Sequence, residues 1–298
     1  MPDTRHRCQL CRHHWTGIVT QITSASSICP EATYGRPNGG SYEEVPAVTH
    51  RADEHYENIA GQYDDVWAHR PEYLSWMSDH SAKRLDMVPG GQVADVGAGT
   101  GLFLGRLAEE ASPDKPILCI DPSQPMLDHL PDDPRLQPIR ATAEDVAAGR
   151  VVLPYEKLDG ILIKETIHHV TDLARTMQGL ADLLVPGGRI LVVSLPPRLE
   201  YPLFQAALDR FAANHPEPET IADTMRAAAL ETEVSYEEYP ITVDRDHWIE
   251  LMGRQWMSVL HSFSDDEIAA GQDEVRRHHP ERELQFIDRF AFVLGIRG

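Results

Sequence analysis

Residues 93–101 read Val-Ala-Asp-Val-Gly-Ala-Gly-Thr-Gly, and this stretch decides the fold of the 298-residue chain. Its apolar start and glycine-rich end favour a short strand, a tight turn and the first turn of a helix. Glycine has no Cβ, so three glycines in five positions allow the backbone to approach a ligand closely. The N-terminus of the following helix offers N–H groups and a partial positive charge to a carboxylate or phosphate. The stretch therefore predicts a nucleotide-like ligand beyond the strand.

The spacing of the glycines narrows the choice of ligand. A dinucleotide fingerprint would place its third glycine at position 102, whereas the chain has Leu102 there and its third glycine at Gly101. Asp95 precedes the first glycine, and its carboxylate would repel a pyrophosphate but attract an ammonium group. A second apolar strand ends at Asp121, twenty residues after Gly101, where a carboxylate usually binds ribose hydroxyls. These residues predict a ligand of mixed charge, with an amine as well as a carboxylate.

The two acidic strand ends and the glycines between them resemble motifs I and II of the class I S-adenosylmethionine-dependent methyltransferases. More closely, the sequence is similar to the ubiquinone/menaquinone-biosynthesis type of small-molecule methyltransferase, over most of the chain from about Tyr56 onward. The resemblance implies S-adenosylmethionine as the cofactor. The cofactor-binding residues that it implies in the two motifs are Asp95, Gly97, Gly99, Gly101 and Asp121.

The resemblance also implies contacts outside the two motifs. Tyr63 is expected to close over the methionine end of the cofactor, with packing of a helix as the equal alternative. Pro122 and Met126 are expected near the adenine, where Ser123 is a suitable N-cap for a short helix. Family members often have an aspartate before the Ala-Glu pair after the third strand, and this chain has Thr142 there. The adenine contacts are then expected from the Ala143 amide and from Glu144 or Asp145, beside Thr142.

The order of the remaining elements predicts a doubly wound sheet. Strands are expected at 135–141, 158–164 and 189–194, with a helix at 172–184 and a Pro-Gly-Gly turn at 186–188. Alternating strands and helices with short turns indicate a parallel sheet, whose ligands bind at the carboxyl ends of the strands. With later strands at 231–243 and 285–294, the prediction is an α/β, Rossmann-like, mostly parallel sheet of seven strands.

Candidate catalytic residues follow the fourth strand, in a segment that borders both the methyl group and the acceptor in the family. Histidine is well matched to remove a proton near neutral pH, so His168 and His169 are candidate bases. An extended segment would point them to opposite sides, so one of them is expected to be structural. Glu165 is the third candidate, and a buried acid there would need a partner such as Lys164.

The choice of acceptor is expected to depend on a helical insertion at about 244–279, near the C-terminus. This insertion is rich in large apolar side chains, which suit a lid over an apolar or aromatic substrate. Simple packing of the insertion onto the core explains the same composition equally well. The residues concerned are Trp248, Met252, Trp256, Met257, Leu260, His261 and Phe263.

Composition limits the classes of partner. With 27 Lys and Arg against 47 Asp and Glu, the net charge of −20 disfavours nucleic acid. No apolar run reaches the roughly 20 residues that cross a bilayer, and the N-terminus lacks the apolar stretch of a secretory signal. We therefore expect a cytoplasmic protein with a small-molecule acceptor, without membrane or nucleic-acid partners. The sequence does not predict the oligomeric state.

The chain divides by composition into an N-terminal extension, residues 1–50, and a methyltransferase domain, residues 51–298. Cys8 and Cys11 form one Cys-x-x-Cys pair with histidines nearby, but a tetrahedral zinc site needs four ligands in a defined arrangement. We expect a flexible extension without a bound metal. Cys119 lies in a predicted buried strand and is expected to serve packing.

These observations predict an S-adenosylmethionine-dependent methyltransferase that acts on the oxygen, carbon or nitrogen of a small organic molecule. One alternative is a catalytically inactive relative that binds the cofactor and acts as a partner subunit. An NAD-dependent dehydrogenase is the other alternative, and the absence of a glycine at position 102 opposes it.

Overall fold

The computed structural model describes residues 70–298. Their centre is one seven-stranded sheet in the order β3-β2-β1-β4-β5-β7-β6. Only β7 runs against its neighbours, and it pairs antiparallel with both β5 and β6. The prediction of a mostly parallel, Rossmann-like sheet is confirmed. The strands are β1 (Val93–Val96), β2 (Ile117–Asp121), β3 (Leu136–Arg140), β4 (Leu158–Lys164), β5 (Leu184–Ser194), β6 (Leu230–Asp244) and β7 (Glu283–Arg297).

Helices cover both faces of the sheet. They are α1 (Pro71–Leu85), α2 (Gly105–Glu110), α3 (Gln124–Leu127), α4 (Ala143–Ala147), α5 (Leu173–Asp182), α6 (Gln205–Asn214), α7 (Pro218–Ala227), α8 (Arg245–Gly253) and α9 (Asp265–His278). Two 3₁₀ turns, Ile167–His169 and Ser258–Ser262, complete the elements. Helix α7 and the short turn at 258–262 were not predicted.

The central strands are apolar because both of their faces are buried. Along β2, Ile117 and Cys119 face one core, whereas Leu118 and Ile120 face the other. Cys119 is fully buried, as expected for a packing residue. Asp95 pairs in register with Cys119 on one side and with Leu162 on the other, so it shares their face of the sheet. The carboxylate of Asp95 therefore lies on a face of the sheet where the paired residues of the neighbouring strands, Cys119 and Leu162, are apolar.

The chain reverses its direction of winding at β1. From β1 it proceeds outward through β2 and β3, and it then returns to place β4 on the other side of β1. Loops after neighbouring strands diverge at such a switch point and leave a crevice at the carboxyl ends. The acidic ends of β1 and β2 both lie at this edge of the sheet.

Two local predictions need correction. The helix after the glycine turn begins only at Gly105, and its Arg106 amide donates to the Ser78 hydroxyl of α1. That amide is therefore already paired and is not available to a ligand. The residues 185–188 do not form an isolated turn but a bulge inside β5, because pairing with β4 jumps from Leu184 directly to Arg189.

The helices between residues 70 and 298 include none that is both long and apolar enough to cross a membrane. The predicted extension and the boundary at residue 50 lie outside the described residues.

Candidate functional site

A cavity of about 470 Å³ lies at the carboxyl ends of β1, β2 and β4. It is lined by residues 95–100, 102–103, 121–123, 126, 141–144, 162–166 and 168–171. This set includes twelve residues predicted for the site, from four separate segments: Asp95, Gly97, Gly99, Asp121, Pro122, Met126, Thr142, Ala143, Glu144, Glu165, His168 and His169. Gly101 is not among the lining residues, and Tyr63 lies outside the described residues.

The glycines serve contacts within the protein. Gly97 has φ of 84°, and a Cβ on it would lie 2.6 Å from the Cβ of Thr166. The Thr166 hydroxyl in turn donates to the carbonyl of Val96 at 3.1 Å. A Cβ on Gly101 would lie 2.6 Å from a methyl group of Leu130. Close packing of the turn against its own chain therefore requires glycine at two of the three positions, while Gly97 and Gly99 also line the cavity and their ligand contacts stay predictions.

Asp121 is held in one orientation by backbone amides. Its Oδ2 accepts from the Gly99 amide and its Oδ1 from the Ser123 amide, each at 2.9 Å. The Ser123 hydroxyl caps α3 by accepting from the Met126 amide, as predicted. Asp121 lines the cavity, so these two amides fix its carboxylate at the cavity wall. A carboxylate fixed in this way suits the hydroxyl groups of a ligand.

Asp95 is buried at the end of β1, and its Oδ1 has no hydrogen-bond partner among residues 70–298. Burial raises the pKa of this carboxyl to about 7. The positive charge of Lys164 opposes that rise, and the negative charge of Asp121 adds to it. A buried polar atom without a partner is costly, so Asp95 favours a ligand that donates to it.

The segment after β3 forms a helix cap at the cavity wall. The Thr142 hydroxyl accepts from the Asp145 amide, while the Thr142 amide donates to the Asp145 carboxylate. Asp145 is also paired with Arg150 at 2.6 Å and does not line the cavity, so it does not replace the missing family aspartate. Glu144 does line the cavity, and it accepts from the Thr171 amide at 3.0 Å.

Glu165 has an unusual backbone conformation, with φ of 55°. Its amide donates to the Val193 carbonyl at 2.8 Å, and its Oε1 accepts from the Leu195 amide at 2.7 Å. Burial raises the pKa of the Glu165 carboxyl to about 7, against the opposing charge of Lys164. A residue other than glycine in the left-handed region stores strain, and such strain is frequent at functional sites.

Both His168 and His169 line the cavity, contrary to the expectation that only one of them would. The reason is that residues 167–169 form a 3₁₀ turn and not an extended segment. The ring of His168 lies between the rings of His169 and His215, at centroid distances of 4.1 and 4.2 Å. Both ring nitrogens of His168 are buried without a hydrogen-bond partner in the described part of the chain.

The His168 environment favours a neutral ring. Burial lowers its pKa well below the ordinary value, and the neighbouring imidazoles of His169 and His215 lower it further. His215 is stacked on Phe211 at 3.5 Å, and burial lowers its pKa to about 4. His215 was not predicted, because it is distant in sequence and follows α6.

Two further ionisable residues are buried in or near this region. Lys164, which the sequence suggested only as a partner for Glu165, lines the cavity, and burial lowers the pKa of its ammonium. Asp288 is fully buried and accepts from the hydroxyls of Tyr73 and Tyr201 at 2.7 and 2.5 Å. A signal for Asp288 was present in the sequence, since it occupies an inward position in the alternation of β7, where apolar residues stand at 284, 286, 290 and 292.

The helical insertion packs onto the core. Trp248, Met252 and Leu260 are buried, and Trp248 donates its indole N–H to the Pro202 carbonyl at 2.8 Å. The residues that line the cavity include none from 244–279. This arrangement agrees with the packing alternative, and the substrate lid stays a prediction.

Within residues 70–298, no group of three or more His, Cys, Asp or Glu side chains is arranged to hold a metal. Cys8 and Cys11 lie outside that range.

Comparison with known proteins finds similarity to methyltransferases. A family model described as a methyltransferase domain matches residues 94–190. The chain is 32% identical over 111 residues to an uncharacterized 37.1 kDa protein in a transposon of Streptomyces fradiae, covering 36% of this chain and 31% of that protein. It is 24% identical over 222 residues to the ubiquinone/menaquinone biosynthesis C-methyltransferase UbiE of Bordetella avium, covering 65% of this chain and 83% of that enzyme.

The fold is also found among solved structures. Phosphoethanolamine N-methyltransferase 2 of Haemonchus contortus, in complex with S-adenosyl-L-methionine, superposes with a TM-score of 0.56 at 15% sequence identity. The match covers 85% of this chain and 60% of that one. The family match spans β1 to the first half of β5, which includes every cavity segment. The cavity therefore lies in the part of the chain that matches a methyltransferase domain, and the described residues share the fold of this solved methyltransferase.

Proposed function

We propose that this protein transfers the methyl group of S-adenosylmethionine to an oxygen, carbon or nitrogen atom of a small organic molecule. The observation that carries the proposal is the arrangement of carboxyl groups around one cavity. Asp95 and Asp121 lie at the ends of neighbouring strands, and Glu165 lies at the end of the next strand, β4. The cavity thus combines a binding side suited to the cofactor with a side that offers a proton acceptor.

The residues of the cavity fit the cofactor. Asp121 presents oriented acceptor atoms for two ribose hydroxyls, since its amide contacts fix the carboxylate. Asp95 carries an unpaired oxygen that suits the cofactor's ammonium. Met126 and Ala143 line the cavity beside Asp121 and offer apolar cover and a backbone amide to the adenine. When bound, S-adenosylmethionine supplies an electrophilic methyl group on a positively charged sulfur.

Methyl transfer is a displacement at carbon, so the protein contributes mainly by holding the acceptor atom in line with the sulfur–carbon bond. The acceptor's electron pair forms the new bond to the methyl carbon, while the electrons of the broken bond remain on sulfur. A hydroxyl or acidic carbon must also lose its proton. A general base is most effective when its pKa lies near the operating pH.

Glu165 is the candidate base that best meets this requirement, because its carboxyl pKa is about 7. His168 is held neutral, but both of its ring nitrogens are buried and would have to be exposed before they accept a proton. His169 lines the cavity and remains the third candidate. We therefore rank Glu165 ahead of the two histidines. The relative from Bordetella avium, named as a C-methyltransferase, makes acidic carbon acceptors a suitable first class to test.

The proposal is tested in two steps. First, S-adenosylhomocysteine is titrated into the purified protein by calorimetry, with NADH as the comparison ligand. Second, the protein is incubated with methyl-labelled cofactor and a panel of phenols, enols and amines, and labelled products are identified by mass spectrometry. We expect binding of S-adenosylhomocysteine and transfer of label. Binding without transfer to any acceptor would favour the inactive partner subunit, and preferential binding of NADH would favour the dehydrogenase.

A further inference from the structure

Lys164 and Asp95 stand on the same face of the sheet at the cavity wall. The register between β1 and β4 pairs Asp95 with Leu162, and Lys164 follows Leu162 by two residues. Residues two apart on a strand share a face. One carboxylate and one ammonium therefore lie on neighbouring strands, and both line the same cavity.

The Lys164 ammonium is positioned by aromatic rings. Its Nζ lies 3.8 Å from the ring centroid of Phe103 and 5.5 Å from that of Phe290. Within residues 70–298, no carboxylate oxygen comes within the 4.0 Å of an ion pair with this nitrogen. Aromatic rings attract a cation without bringing a negative charge to it, whereas a carboxylate in a direct ion pair would already compensate the positive charge. Lys164 is thus a fixed cation that retains the capacity to bind an anion.

Burial lowers the pKa of the Lys164 ammonium, and nearby carboxyl groups oppose that effect. Three carboxyl groups act on it from a distance, namely Glu165 on the same segment, Asp288 on β7 and Asp95 on β1. Asp288 is itself fixed by the hydroxyls of Tyr73 and Tyr201, which satisfy both of its oxygens. These negative charges oppose the effect of burial, which lowers the lysine pKa. Residues that are distant in sequence therefore act together on the Lys164 ammonium at the cavity wall.

We propose that Lys164 binds the carboxylate of the amino-acid end of S-adenosylmethionine, while Asp95 binds the ammonium of the same end. An α-amino-acid end carries one positive and one negative group on a single carbon. The wall offers the complementary pair on adjacent strands, and the Asp95 oxygen Oδ1 lacks a partner within the described residues. This assignment rests on the proposed function, since it takes the methyl donor as given.

The experiment compares two ligands of which only one has the amino-acid end that Lys164 and Asp95 are proposed to bind. S-adenosylhomocysteine has the amino-acid end, whereas 5′-methylthioadenosine has the same nucleoside and sulfur without it. Both are titrated by calorimetry into the full-length wild-type protein and into Lys164→Met and Lys164→Arg. Lys157→Met is the matched control, because Lys157 is exposed and donates only to the Asp182 carbonyl.

We expect Lys164→Met to weaken the binding of S-adenosylhomocysteine by about 10- to 100-fold, the usual effect of losing a hydrogen bond between charged groups. The affinity of Lys164→Met for 5′-methylthioadenosine should stay within about twofold of the wild-type affinity, and this result would also show that the cavity is intact. Lys164→Arg should retain most of the affinity, and Lys157→Met should match the wild type.

Two results would overturn the assignment while leaving the proposed function in place. One is unchanged binding of S-adenosylhomocysteine by Lys164→Met. The other is an equal loss for both ligands, which would make Lys164 a structural part of the cavity. Failure of the wild-type protein to bind either ligand would instead overturn the proposed function, and the assignment with it.

Discussion

The side chain of Thr166 occupies the space that a Cβ on Gly97 would need. Its hydroxyl donates to the carbonyl of Val96, so the loop after β4 is bonded to the end of β1 at the point where the glycine turn starts. Asp95 lies on β1 just before this contact and Glu165 follows β4 directly, so the Thr166–Gly97 contact sets the spacing of the two halves of the cavity.

Gly97→Ala should destabilise the protein by at least about 2 kcal/mol, because a positive φ and a steric clash act together. Urea denaturation of the purified variant measures the effect. Gly149→Ala is the control, since Gly149 also has a positive φ, of 65°, but within residues 70–298 no atom beyond its chain neighbours lies within 4 Å of the added Cβ. Gly149→Ala should lower the free energy of unfolding by only about 1 kcal/mol. Equal losses for the two variants would show that the contact with Thr166 is unimportant.

Asp121→Ala should weaken binding of S-adenosylhomocysteine by about 1–3 kcal/mol, the loss of charged hydrogen bonds to the ribose. Calorimetric titration measures the affinity. Asp128→Ala, which removes an exposed carboxylate that accepts only from the Gln124 amide group, should leave the affinity unchanged. Unaltered binding by Asp121→Ala would mean that the ribose lies elsewhere.

The buried carboxyls of Asp95 and Glu165 should each contribute stability at low pH that is lost as the pH rises to about 7. Burial raises the folded-state pKa of Asp95 from 3.8 and of Glu165 from 4.5, both to about 7, so each binds more proton in the folded protein than in the unfolded chain in this window. His168 and His215 contribute in the opposite direction below about pH 6.5, because burial lowers their pKa values, so the carboxyl contribution is measured as the difference between a variant and the wild type.

Asp95→Asn should remove part of this pH dependence and should stabilise the ligand-free protein at pH 8 by on the order of 2 kcal/mol. Chemical denaturation at several pH values measures both effects. The same variant should lose affinity for S-adenosylhomocysteine, since an amide does not pair with an ammonium. A stability profile identical to that of the wild type would contradict the raised pKa of Asp95.

Glu165→Gln should reduce the methyl-transfer rate by about 10²- to 10⁴-fold if the acceptor must lose a proton. Binding of S-adenosylhomocysteine should change little, and the rate of the wild-type enzyme should rise with pH through about 7, where Glu165 ionises. Rate measurements across pH on an acceptor found in the panel test this. His168→Gln and His169→Gln, measured in parallel, would identify a histidine base if either of them abolishes turnover while Glu165→Gln does not.

Tyr201→Phe should destabilise the protein by about 2 kcal/mol, because it removes a hydrogen bond to the buried carboxyl of Asp288. Thermal or urea unfolding measures the change. Tyr236→Phe is the matched control, since Tyr236 is 42% exposed and belongs to the outer strand β6. It should alter stability by less than about 0.5 kcal/mol. Similar stability of the two variants would show that the Asp288 network contributes little.

Most of the sheet was predictable, because local patterns suffice for buried strands. Residues 158–164 form a strand with the predicted bounds, since a continuous apolar run is typical of a strand buried on both faces. The turn after this strand was not predictable in the same way. Whether residues 167–169 extend or coil depends on packing against β1 and α6, and that packing brings both histidines to the cavity.

The sequence by itself determined the glycine turn, the acidic ends of β1 and β2 and the segment that carries Glu165, because each of these depends on residues close together in the chain. Only the tertiary structure decided which distant residues complete the site. Asp288 meets Tyr73 across 215 positions, and His215 meets His168 through the packing of α6. Such contacts arise from the burial of whole elements against one sheet. The glycine turn together with Asp95 and Asp121 therefore predicts the methyl donor, whereas the arrangement of Lys164 and its neighbours at the cavity wall exists only in the folded protein.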